Sequence, residues 1–280
     1  MGVSESWQEV EGLRVRLYQG GSGEPLILLH GGSMDSARLS WDRCLEPISK
    51  HFHVLAPDLP GYGGSDRPEI DYTIDFYTDF LKRFIRSLGL ERLHLLGFSL
   101  GGQIALSVAL RHPAHLGRLV LASCAGLGLA RDWNILGKMA SHFSGLHMRL
   151  RRETRSRRRL IRQALRFVVD DPKTISEELV DGIVSEASNP DFGRAWRSYL
   201  RQELDWQGFR SDFTGRLPEI QHRTLLIHGA RDRLIPVRFA EEAQRKIPDS
   251  KLVILQHCGH WPPREKPGEF VEAVVKFLKS

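Results

Sequence analysis

Short apolar runs alternate along this chain with segments whose apolar residues recur every three to four positions. The 13–19 stretch, LRVRLYQ, alternates apolar and polar residues, as a strand with one solvated face does. Six further runs are almost wholly apolar: PLILLH (25–30), HVLAPD (53–58), RLHLLGF (92–98), RLVLAS (118–123), TLLIHG (224–229) and KLVILQ (251–256). Runs of this kind suit parallel strands covered on both faces. Between them lie helical patterns. Over 75–88, Phe76, Phe80, Phe84, Ile85 and Leu88 share one stripe, and Gly89 supplies a stop. After Pro267, residues Phe270, Val271, Val274, Phe277 and Leu278 do the same. Strand and helix in alternation predict an α/β fold with a mostly parallel central sheet flanked by helices.

One interval breaks the rhythm. From Ser123 to Arg223 about a hundred residues have helical character and no clear strand. A crossover between parallel strands needs only a dozen or so. The excess predicts an inserted helical cap over 125–216, on a core made of 1–124 and 217–280. Charge sharpens the picture. The chain carries a net +6, yet nine arginines and one acid lie between His147 and Arg166, a local +8, so the remainder sums to −2. The bland reading of that basic segment is a solvated helix face, with Leu150, Leu160, Ile161 and Leu165 turned inward. Attraction of an anionic substrate to the cap and weak contact with an anionic membrane surface are the functional alternatives. No aromatic platform or binding motif accompanies the arginines, so nucleic acid is not an expected partner.

Composition excludes several classes. A hydrophobic fraction of 41% and a charged fraction of 26% are those of an ordinary globular protein. No apolar run approaches the ~18 residues of a membrane span. The N-terminus lacks the charged start and apolar stretch of a secretory signal. Its Gly2 and Ser6 match a myristoylation pattern, read as chance because nothing else supports an anchor. Cys44, Cys124 and Cys258 are widely spaced and read as reduced thiols, so a cytoplasmic protein is expected.

The chemistry centres on Gly97-Phe98-Ser99-Leu100-Gly101, which joins a predicted strand to a predicted helix. A sharp turn there strains the central residue, and glycines two positions away on either side remove the Cβ atoms that would clash. The serine hydroxyl then stands at the sheet's C-terminal edge and at a helix N-terminus, where the N–H of Leu100 stabilises negative charge. A serine nucleophile needs a base, itself oriented by an acid. His260 follows the last strand; His257, at that strand's end, is the rival. Asp232 follows strand 224–229, and its alternative is a loop carboxylate paired with Arg231 or Arg233. Both candidates follow strand C-termini, the edge where open α/β sheets place their sites. His51/His53 and His257/His260 are spaced like metal pairs but lack further ligands nearby, and no metal is expected.

With these motifs in order, the chain resembles the α/β-hydrolase fold superfamily over nearly its full length. His30-Gly31-Gly32 is similar to the family's oxyanion loop, which implies that the N–H of Gly32 joins that of Leu100. Asp58 to Ser65 is similar to the family's D-x-x-G-x-G-x-S turn, a structural element. The cap position also fits. Some relatives place the acid after the sixth strand, but that strand here ends Ala122-Ser123-Cys124, without a carboxylate, which favours Asp232. Relatives that open epoxides or remove halide have aspartate where this chain has Ser99. The resemblance therefore implies a capped serine hydrolase with no cofactor, acting on a small-molecule acyl substrate, as a monomer or homodimer. Carboxylesterases and meta-cleavage product C–C hydrolases are the similar groups. Gly126-Leu127-Gly128 and Trp261 lean toward the latter. HGGSMDS in place of HGGGPG, Phe98 before the serine, and the lack of a clear cap arginine (Arg194 and Arg197 are offset) lean toward an ester hydrolase. Phe98 and Trp261 are expected to wall the substrate pocket. A ligand receptor or an acyltransferase on the same fold is the remaining alternative.

Overall fold

The computed structural model describes residues 2–128, 154–204 and 209–280. Its strands are β1 (Ser4–Val10), β2 (Leu13–Gly20), β3 (Pro25–Leu29), β4 (His53–Pro57), β5 (Leu93–Phe98), β6 (Leu116–Ala122), β7 (Thr224–Gly229) and β8 (Ser250–Leu255). They form one sheet in the order β1-β2-β4-β3-β5-β6-β7-β8. Pairs β1–β2 and β2–β4 are antiparallel and the others parallel. This is the predicted α/β fold with one strand more than the apolar runs reveal. β1, SESWQEV, is an edge strand with most of its side chains in water, so it carries no apolar run.

In chain order the helices of the first half are α1 (Ala37–Trp41), α2 (Leu45–Ser49), α3 (Ile74–Ser87) and α4 (Leu100–Arg111). α3 starts where Thr73 caps the N–H of Phe76 at 3.0 Å. Phe80 and Phe84 of α3 and Ile104 of α4 cover one face of the sheet. After β6 come α5 (Thr154–Val168), α6 (Glu177–Glu186) and α7 (Arg194–Glu203), and after β7 come α8 (Arg238–Lys246), α9 (Pro262–Glu265) and α10 (Pro267–Lys279). Trp41 of α1 and Phe270 and Val274 of α10 cover the opposite face. Burying each such side chain stabilises the fold by about 1.5–3 kcal/mol. Coverage on both faces is why β5 and β7 are buried at every position.

Between β6 and β7 the described residues hold helices α5 to α7 and, beyond them, a single isolated bridge between Leu204 and Phe209. Ile161 and Leu165 of α5 are buried and Leu160 is half-buried. Arg158 and Arg162 on its flank pair with Glu177 and Asp181 of α6. Leu150, Arg149, Arg151 and Arg152 lie outside the described residues. Among the described residues no helix is long and apolar enough to cross a membrane. Cys44, Cys124 and Cys258 are all buried and unpaired.

Parallel register brings the strand ends together. Leu29 and Leu121 both lie beside Gly97, Ala122 beside Phe98, and Ile227 beside Ala122. The segments that leave β3, β5, β6 and β7 therefore emerge along one edge in that order, and the one after β8 lies next to them.

Candidate active site

Ser99 occupies the turn between β5 and α4 with φ +53° and ψ −113°. A side chain pays for that backbone with strain, and the neighbours show why the turn is so tight. A Cβ on Gly97 would lie 2.2 Å from the Gly101 carbonyl oxygen, and one on Gly101 would lie 2.3 Å from that of Leu29. The turn is fastened to β6: the Ser99 N–H donates to Ala122 O at 2.9 Å, and Ser99 O accepts from Ala125 N–H at 3.2 Å.

The Ser99 hydroxyl faces His260 Nε2 at 3.0 Å, and His260 Nδ1 faces Asp232 Oδ2 at 2.8 Å. The sequence-selected serine, histidine and aspartate thus form one hydrogen-bonded chain across β5, β7 and β8. With Asp232 ionised, Nδ1 carries the imidazole proton and Nε2 accepts from Ser99. His257, the rival base, is exposed and has φ +51°. Burial pushes the Asp232 carboxyl up, but electrostatic attraction to the His260 ring and hydrogen bonds from His228 and His260 outweigh it and hold the group well below the usual carboxylate range.

The carboxylate has further donors that the sequence did not reveal. Its Oδ1 accepts the N–H groups of Leu234 and Ile235, each at 2.8 Å. His228, at the end of β7, places Nε2 2.7 Å from Ile235 O and 3.2 Å from Asp232 Oδ2. A carbonyl oxygen only accepts, so Nε2 of His228 carries a proton and is shared between the two oxygens. The His260 loop is braced from the cap side. The His260 N–H donates to Val168 O at the end of α5, 2.8 Å away. The Glu265 carboxylate accepts from the N–H groups of Asp170, Gly259 and Trp261.

Gly32 and Leu100, the predicted oxyanion pair, both line the cavity beside Ser99. The His30 ring sets the first of them. Its Nδ1–H donates to Gly31 O at 2.7 Å while Nε2 accepts the Leu59 N–H at 2.9 Å. A trans peptide points its C=O and N–H in opposite directions, so holding Gly31 O toward His30 turns the Gly32 N–H away from it. Among the described residues neither the Gly32 nor the Leu100 N–H is used in a hydrogen bond. Asp35 fixes the other side of the loop, accepting from Gly31 N–H at 2.8 Å, Ser36 N–H at 2.8 Å and the Ser40 hydroxyl at 2.5 Å. Burial raises its pKa, with the electrostatic influence of the nearby His30 ring and these hydrogen bonds opposing. The Asp58 turn is structural: Asp58 binds Arg16 at 2.6 Å and accepts the N–H groups of Ala37 and Gly64.

Above Ser99 opens a cavity of about 560 Å³. Phe98 and Trp261 both line it, stacked 6.1 Å apart and 8° from parallel. Leu165 and Phe167 of α5, Trp196 of α7 and Phe239 of α8 extend that apolar wall. Trp196 lies against the oxyanion loop, where a Cβ on Gly32 would come within 2.4 Å of its ring. The ionisable lining groups among the described residues are Asp35, Tyr199 and His260, with no arginine or lysine. Arg194 is engaged outside the cavity with Glu69 at 3.2 Å and Asp191 at 3.1 Å.

A sheet of this order with a serine, a histidine and an aspartate at its C-terminal edge defines an α/β hydrolase. The sequence model of the alpha/beta hydrolase fold matches residues 24–267, and the chain belongs to that family. It is 28% identical over 278 residues to the 2-hydroxy-6-oxo-2,4-heptadienoate hydrolase of Pseudomonas putida, covering 96% of this chain and 94% of the relative. It is 29% identical over 286 residues to the 2-hydroxy-6-oxo-6-phenylhexa-2,4-dienoate hydrolase of Comamonas testosteroni, covering 98% and 94%. A solved membrane phospholipase A, described as a bacterial virulence factor, superposes with a TM-score of 0.82 at 29% identity, covering 99% of this chain and 86% of that one.

Proposed function

We propose that this hydrolase cleaves esters of apolar carboxylic acids through an acyl-enzyme on Ser99. The observation that carries the reading is the apolar cavity over the Ser99 hydroxyl, with no cation among its described lining residues. The dienoate substrates named for the relatives bear a carboxylate. Burying such a charge without a partner is costly, and neither Arg194 nor Arg197 lines the cavity. An apolar acyl chain meets no such cost. The overall similarity to dienoate hydrolases keeps C–C bond hydrolysis as the second reading.

In this mechanism Ser99 Oγ attacks the ester carbonyl carbon while His260 Nε2 takes its proton. Asp232 holds the imidazole and stabilises its charge. The carbonyl oxygen, now negative, lies between the N–H groups of Gly32 and Leu100. His260 returns the proton to the leaving alcohol, and water, activated by the same imidazole, releases the acid. Residues 125–216 act as the cap that sets acyl specificity, through the side chains α5 and α7 place on the cavity.

A p-nitrophenyl ester series from acetate to dodecanoate tests the reading. Each methylene buried contributes about 0.8 kcal/mol, so kcat/KM is expected to climb by up to about fourfold per methylene until the chain meets the cavity wall. A flat or falling series would count against an apolar acyl site.

A further inference from the structure

We propose that the mouth of the cavity is a phosphate-recognising subsite, and that the substrate is an acyl ester or thioester whose leaving group carries phosphate. The acyl chain fills the cavity and the phosphate stays outside, on an arginine rim. This inference rests on the acyl-hydrolase reading and names the leaving group it takes.

The rim is assembled from three segments. Arg159 and Arg166 lie seven residues apart on α5, hence on nearly the same face. Arg233 follows Asp232 in the loop after β7, and Arg238 begins α8. All four are exposed. Three of them are tied to the cavity's edge, and Arg159 stands about two turns back along α5. Arg166 precedes Phe167, whose ring lines the cavity and is still 53% exposed. Arg233 Nη1 donates to Arg166 O at 3.4 Å, which joins the loop to the end of α5. Arg238 lies 5.1 Å from the ring centroid of Phe239, another lining residue.

Pairing separates these four from their neighbours. Arg158 and Arg162 on α5 are held by Glu177 and Asp181, and Arg231 by Asp170 at 3.1 Å. Among the described residues none of Arg159, Arg166, Arg233 and Arg238 makes an ion pair with a carboxylate. Three uncompensated guanidinium groups around one opening, with Arg159 behind them on α5, repel one another, and an anion with several acceptor oxygens relieves that. Guanidinium matches phosphate in a bidentate geometry that a lone point charge lacks. The division of charge fixes the orientation. Among the described residues cations stand outside the cavity and none lines it, so the anionic part of the ligand is the part that stays at the mouth.

Phosphate at the mouth has two sources, a phospholipid headgroup and a soluble phosphate-bearing acyl carrier, and the substrates of the test separate them. Hydrolysis of p-nitrophenyl octanoate, octanoyl-coenzyme A and dioctanoyl phosphatidylglycerol is measured with the wild type and the double variant Arg166→Gln/Arg233→Gln. The wild type is expected to have a lower KM for at least one phosphate-bearing substrate than for the neutral ester, and the preferred one names the source. In the double variant the ratio of kcat/KM for that substrate to kcat/KM for the neutral ester is expected to fall about tenfold, through KM. Phosphate-bearing substrates no better than the neutral ester, or a variant that slows all three alike, would overturn the subsite while leaving ester hydrolysis standing. Absence of turnover on all three would remove the acyl-hydrolase reading and this inference with it.

Discussion

Ser99→Gly is expected to be inactive yet more stable than Ser99→Ala. Both variants lose the nucleophile, and with it at least about 10⁴-fold in kcat. Both also lose the hydrogen bond to His260, so that cost cancels between them. They differ in the backbone. Ser99 sits at φ +53° and ψ −113°, where any Cβ stores about 1–3 kcal/mol of strain. Glycine releases it and gives back about 0.5–1 kcal/mol in chain entropy. The net gain is about 1 kcal/mol, or about 2 °C in melting temperature for a chain of this size. At an ordinary position the order of glycine and alanine is the reverse. Thermal melts of the two variants side by side decide the matter: equal or inverted stabilities would mean that the turn stores no strain.

Asp232→Asn is expected to lower kcat by about 10⁴-fold, because an amide in place of the carboxylate no longer holds the His260 tautomer whose Nε2 accepts from Ser99. The variant is also expected to lose stability. Four donors converge on this carboxylate, the N–H groups of Leu234 and Ile235 and the rings of His228 and His260. An amide NH₂ must face one pair of them, which leaves buried donors opposed at a cost of about 1–3 kcal/mol. The pH dependence has a fixed sign. The folded-state pKa of Asp232 is depressed below its ordinary 3.8. The carboxylate's contribution is therefore fully present above that value and is lost as pH falls toward the folded-state pKa. Denaturant unfolding at pH 7 and at pH 3 should show the gap between wild type and variant narrowing in acid. A gap independent of pH would contradict the assignment of the donors to an ionised carboxylate.

What the sequence disclosed and what it concealed follow from the range of the contacts. β3, β5 and β7 were readable because burial on both faces makes them mostly apolar. β1 was not, because as an edge strand it holds only Val10 in the core. The five-residue helices α1 and α2 are too short to show a period. Ser99, Asp232 and His260 were legible because glycines and strand ends mark the places where a sheet presents side chains. The groups that brace them were not. His228 reads as one more residue of a buried strand, Asp35 as a loop acid, and Glu265 as part of a charged run. Only folding brings Trp196 against Gly32, or Val168 against His260. The arginine count announced a basic segment, but not that Arg158 and Arg162 pair with α6 while Arg159 and Arg166 make no ion pair among the described residues.

The central claim is that the site takes an apolar acyl ester rather than a carboxylate-bearing dienoate. One comparison tests it most directly: kcat/KM of the same preparation for p-nitrophenyl octanoate and for 2-hydroxy-6-oxo-2,4-heptadienoate. A buried carboxylate without a cation costs several kcal/mol, so the ester is expected to lead by at least about 100-fold. A dienoate turned over as fast as the ester, or faster, would contradict the account and make the chain a C–C bond hydrolase.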